Sequence, residues 1–82
     1  MNPRKLFAKL SNSQTNVKFG DLVRLAEAFG FEFQRSAGSH FIYMHPKVAE
    51  HLNLQNVHGQ AKPYQVKQLL KLIEQYNLEA RS

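Results

Sequence analysis

Two segments of alternating character flank an Ala-Gly pair, and this arrangement constrains the chain more than any other feature. Phe31 to Ser36 sets Phe31, Phe33 and Arg35 on one side and Glu32, Gln34 and Ser36 on the other. Ser39 to His45 is aromatic and β-branched, the composition of a strand. Ala37-Gly38 between them supplies a tight turn, so the two strands are expected to pair as a hairpin. Pro46 has no N–H to give and stops the ladder. Residues 47–53 read as an irregular excursion, and Leu54 to Val57 as a third short strand ending near Gly59.

Helical stripes lie on both sides of this block. Leu22, Leu25, Ala26 and Phe29 predict a helix from about Gly20 to Phe29, with Asp21 favouring its N-terminal dipole and Gly30 at its stop. Val66, Leu69, Leu70, Ile73 and Tyr76 predict another, opened by Lys62-Pro63 and ended by Asn77. Both stripes read as core. Asn2 to Leu10 predicts a short first helix, with Leu6, Phe7 and Leu10 on one face. Ser11 to Asn16 is polar throughout and reads as a linker. The expectation is an α+β fold of order α-β-β-β-α, a three-stranded antiparallel sheet with both main helices on one face. Residues 19–82 form the main domain, and 1–18 a helical appendage with its linker.

Composition narrows the functions. Eighty-two residues allow one domain and little room for a large cofactor. The absence of Cys excludes disulfides, thiolate metal sites and thiol catalysis. Eleven Lys and Arg against six Asp and Glu give a net charge of +5, which suits a phosphate-rich partner. MNPRKLFAKL lacks the apolar stretch of a signal peptide, and no run approaches the roughly 20 apolar residues of a membrane span. A soluble cytoplasmic protein with no membrane contact is expected.

No Gly-rich phosphate loop, nucleophile elbow or placed carboxylate pair occurs. The histidines are His40, His45, His51 and His58. His40 and His45 are an odd number apart on one strand and project to opposite faces, so they do not converge on a metal. His51 and His58 read as surface residues in loops, and no metal site or cofactor is expected. His40 follows a Gly turn at a strand start, where a substrate can reach it, and imidazole exchanges protons near neutral pH.

The ordered set Gly30-Phe31-Glu32-Phe33-Gln34-Arg35, then Gly38-Ser39-His40 and His45-Pro46, then Lys62-Pro63-Tyr64, resembles the HicA family of toxin–antitoxin mRNA interferases over about residues 19–78. The resemblance implies a double-stranded-RNA-binding-like fold and an endoribonuclease toxin with His40 as its catalytic residue. It also implies mRNA as substrate and a HicB-type antitoxin as partner. The sequence departs from shorter members at Val57 to Val66, where Lys62 is the candidate for their lysine.

The expected reaction is metal-independent attack of a 2′-hydroxyl on phosphorus, with His40 as general base or general acid. Lys62 or Arg35 would stabilise the phosphorane, and Ser39 or Tyr43 would donate hydrogen bonds. The expected RNA-binding residues are Arg35, Gly38, Ser39, Lys47, Lys62 and Lys67. Ile42 and Met44 are expected beside His40 as an exposed apolar strip for bases or the antitoxin, with Phe41 and Tyr43 in the core. The competing reading is a small RNA-binding module without catalysis.

Overall fold

The computed structural model describes residues 2–81. Met1 and Ser82, the ends of the expected appendage and domain, lie outside the described residues. Three helices and four strands follow in the order α1 (Pro3–Asn12), α2 (Phe19–Ala28), β1 (Glu32–Ala37), β2 (His40–His45), β3 (Val48–Val57), β4 (Gln60–Ala61) and α3 (Pro63–Gln75). The strands form one antiparallel sheet in the order β1-β2-β3-β4. The fold is α+β and compatible with the double-stranded-RNA-binding-like architecture.

The sheet is larger than expected. Residues 47–53 are not an excursion, because Val48 to Val57 is a single ten-residue strand. Pro46 interrupts the ladder only locally, and Pro46-Lys47 becomes the turn between paired His45 and Val48. Glu50 breaks the apolar alternation that would have marked the strand. It lies at the margin of the sheet, where the Tyr76 hydroxyl donates a 2.7 Å hydrogen bond to its carboxylate. The fourth strand, β4, is two residues long and follows His58-Gly59. Both turn residues have positive φ, 52° and 84°, as a type I′ hairpin requires. This accounts for His58 as a turn residue, histidine being among the side chains that tolerate this region.

Register fixes the two faces. Phe41 pairs with Leu54 and Tyr43 with Leu52, and these four look toward the helices. Leu52 and Leu54 are fully buried there with Leu22, Leu25, Val66 and Leu69. His40, Ile42, Asn53 and Gln55 occupy the other, helix-free face. A bulge between Phe33 and Arg35 alters the expected alternation of β1. Phe33 stays with Tyr43 on the helix side, whereas Arg35 pairs with Ile42 on the open face. An inserted residue reverses the side-chain parity beyond it.

The core does not stop at the expected boundary near residue 18. Leu6 and Leu10 are buried in the same cluster as the sheet and the other helices. The polar linker folds α1 back: Gln14 Nε2 donates to the carbonyls of Leu10 and Ser11, each at 2.8 Å. Val17 to Phe19 then runs along β4, with Phe19 N–H bonded to the Gly59 carbonyl at 2.9 Å and Ala61 N–H to the Val17 carbonyl at 2.8 Å. This covers the β4 edge.

Candidate functional site

The β1–β2 hairpin builds the end of the sheet that carries His40. Gly38, with φ of 59°, and Ser39 form the two-residue loop between paired Ala37 and His40. Positive φ at the first loop position is the type II′ requirement that glycine meets without strain. His40 is therefore the first residue of β2, exposed and on the open face. Its Nδ1 lies 3.0 Å from Oδ1 of Asn53 on the neighbouring strand.

Around His40 the open face is mostly uncharged. Ala37 lies beside it on β1 and Gln55 on β3. Arg35 stands next to Ile42, one step along the sheet. Asn56 pairs with Ala61, where β4 ends, and Lys62 follows as the N-cap of α3. Lys62 Nζ lies 6.0 Å from the centre of the exposed Tyr64 ring. Ile42 and Met44 continue from His40 along β2 as an apolar strip, Met44 being exposed.

The other expected residues are placed as follows. Arg35, Gly38 and Ser39 lie toward the His40 end, and Lys62 caps α3 just after β4. Lys47 follows the far end of β2, about 17 Å away at some 3.3 Å per strand residue. Lys67 belongs to the helix layer, where it lines a groove of about 630 Å³ with Gln14, Leu70, Lys71, Glu74 and Gln75. Tyr43 is buried on the helix side, so its hydroxyl does not serve the open face. Burial, and secondarily the Glu27 carboxylate, push its pKa up.

His45 has a structural place. Its ring meets buried Phe31 edge-on at 5.2 Å, and its Nδ1 accepts the Lys47 N–H at 3.0 Å. Gly30 fits beneath it because a Cβ there would stand 2.8 Å from His45 Nε2. Among the described residues, no three His, Cys, Asp or Glu side chains come together as a metal-binding group. No helix among them is long and apolar enough to cross a membrane.

Two residues escaped sequence reasoning. Asn53 was hidden because its segment did not read as a strand. The alternation Leu52-Asn53-Leu54-Gln55 is the signal that sets it on the face opposite the buried leucines. Gln65 is 3% exposed, and no local pattern marks a buried glutamine. Its side chain takes the place of a neighbouring strand: Gln55 N–H donates to its Oε1, and its Nε2 donates to the Asn53 carbonyl, both at 2.8 Å.

These features define a small α+β protein with an exposed histidine, His40, on a helix-free sheet face. The family model for the HicA toxin of bacterial toxin–antitoxin systems matches residues 19–75. The chain belongs to the HicA toxin family and is a toxin of a toxin–antitoxin system, with a cognate antitoxin as its partner. Neither the curated proteins nor the solved structures yield a match. Helix α1 lies outside the matched residues yet shares their core.

Proposed function

We propose that this toxin is an endoribonuclease that cleaves mRNA in the cytoplasm, with His40 as its general acid/base, and that a HicB-type antitoxin neutralises it. The observation that carries this reading is the exposed His40 on a helix-free face, with Arg35 on the neighbouring strand opposite Ile42. An open face admits a polymer, whereas small-molecule sites enclose most of their ligand.

The proposed chemistry uses the RNA itself as nucleophile. His40 takes the 2′-hydroxyl proton as the 2′-oxygen bonds to phosphorus, or protonates the 5′-oxygen as the phosphorus–5′-oxygen bond breaks. Either contribution is typically worth about 10²–10⁴-fold. Arg35 and Lys62 are the groups proposed to hold the phosphorane charge. Gly38 and Ser39 present backbone and hydroxyl donors beside it. Lys47 and Lys67, placed farther off, would meet more distant phosphates of a long substrate. Ile42 and Met44 offer apolar surface to unstacked bases or to the antitoxin.

The test is incubation of the purified protein with a single-stranded RNA and its all-deoxy counterpart in EDTA. The expected products are a 2′,3′-cyclic phosphate and a 5′-hydroxyl, from the RNA alone. Cleavage only with added Mg²⁺, or equal cleavage of DNA, would overturn the mechanism. Salt-dependent binding without cleavage would favour a non-catalytic RNA-binding module.

A further inference from the structure

His40 is tied to the neighbouring strand by its ring. Its register partner on β3 is Gln55, and Asn53 is two residues along on the same face. The 3.0 Å bond from His40 Nδ1 to Asn53 Oδ1 therefore spans a diagonal pair, within reach of long side chains. With Asn53 Oδ1 facing the ring as acceptor, the hydrogen of this bond belongs to Nδ1. A neutral imidazole carries one N–H, which leaves Nε2 with its lone pair unprotonated.

We propose that Asn53 is a positioning residue that fixes His40 in the Nδ1–H tautomer and makes Nε2 the proton-accepting atom of the cleavage reaction. This rests on the nuclease reading above. In the step it defines, the 2′-hydroxyl proton passes to Nε2 as the 2′-oxygen–phosphorus bond forms. The phosphorus–5′-oxygen bond breaks, and the 5′-oxygen takes a proton from water. The resulting imidazolium keeps its Nδ1–H on Asn53.

The fold holds Asn53 from three sides. Leu52 and Leu54 are fully buried, so the backbone cannot rotate Asn53 off the open face without exposing them. β2 pairs with β3 at Ile42 and Asn53. On the other side the Gln65 side chain grips the Asn53 carbonyl and the Gln55 N–H. A bond from helix α3 thus supports the strand segment that orients His40.

The charged groups placed on this face are few. Arg35 comes from β1, His51 lies in β3 two residues before Asn53, and Lys62 caps α3 just after β4. Glu32 lies at the far end of β1, opposite Met44, and is 3.6 Å from Arg81. No carboxylate is paired with the His40 ring among the described residues, so a neutral amide sets its tautomer.

The experiment is ¹⁵N–¹H ring spectroscopy of His40 in the full chain above its titration, with cleavage kinetics on a short RNA. Wild type is expected to show the Nδ1–H tautomer. Asn53→Ala is expected to lose that bias and to lower kcat by about tenfold to a hundredfold, the scale of removing a histidine-orienting partner, with KM little changed. Asn53→Asp keeps an acceptor at the same place. It is expected to restore the tautomer and to move the acidic limb of kcat/KM to higher pH, since its carboxylate favours the imidazolium. An Nε2–H tautomer in wild type would overturn the proposal, as would wild-type kcat in Asn53→Ala. If wild type cleaves no RNA, the nuclease reading falls and with it Nε2 as proton acceptor; the ring spectrum then decides whether Asn53 sets the tautomer.

Discussion

Replacing Gln65 by Met keeps the length of the side chain and removes both of its hydrogen bonds to β3. The wild-type bonds are each 2.8 Å, and the side chain is almost fully buried. A typical intramolecular hydrogen bond contributes about 1 kcal/mol net, but a buried backbone group left without a partner costs about 1–3 kcal/mol. Gln65→Met strands one donor, at Gln55, and one acceptor, at Asn53. The expected destabilisation is about 2–4 kcal/mol, since the groups are only partly shielded from water. A chain of this size has a total stability of roughly 4–12 kcal/mol, so the loss is a large share of it. For such a domain the corresponding fall in Tm is about 10–25 °C. Urea unfolding followed by circular dichroism reads it directly. A Gln65→Met protein within about 0.5 kcal/mol of wild type would refute the view that this side chain completes the sheet.

Other consequences follow from the same structure. Leu10→Ala, at a residue 1% exposed, is expected to cost about 2–5 kcal/mol in the same unfolding assay. A change below 1 kcal/mol would show α1 to be a detachable appendage. Gly30→Ala sets a side chain at φ of 94° and against the His45 ring, and a fall of about 1–2 kcal/mol or more is expected from thermal melts. Tyr43 has its pKa raised by burial and then by Glu27. The folded state therefore holds the phenol proton more tightly than the unfolded chain. Its contribution is fully present below about pH 10 and is lost as pH rises from there through the folded value, at up to about 1.4 kcal/mol per pH unit. Wild type is expected to lose stability faster than Tyr43→Phe across pH 9.5–11.5, and parallel curves would count against a buried phenol.

The parts of the fold legible in the sequence were those with uninterrupted periodicity. Leu22, Leu25 and Phe29 announced α2, and Val66, Leu69, Leu70 and Ile73 announced α3, because each stripe meets one shared core. Gly38 marks the hairpin, since turn chemistry is local, but the loop is Gly38-Ser39 rather than the expected Ala37-Gly38, because Ala37 still pairs with His40. β3 was obscured by Glu50 and His51, whose polarity reflects a strand margin and an open face rather than a loop. Its partner for Glu50, Tyr76, is 26 residues away and invisible to local pattern. The bulge at β1 has no composition cue: simple alternation sets Arg35 on the side of Phe33, and the inserted residue turns it to the open face. α1 looked separable because Ser11 to Asn16 is wholly polar, yet Gln14 turns that stretch into a compact connection. His40 stood out through its motif, and Asn53 did not, because a partnership across two strands exists only after register is set.

The central claim is that His40 makes this toxin an RNA-cleaving enzyme. The most direct measurement is growth and total mRNA after induced expression of wild type beside His40→Ala, at matched protein level. The account predicts growth arrest and mRNA loss with wild type, and neither with His40→Ala. Arrest and mRNA loss that persist in His40→Ala would contradict it, as would intact mRNA and normal growth with wild type.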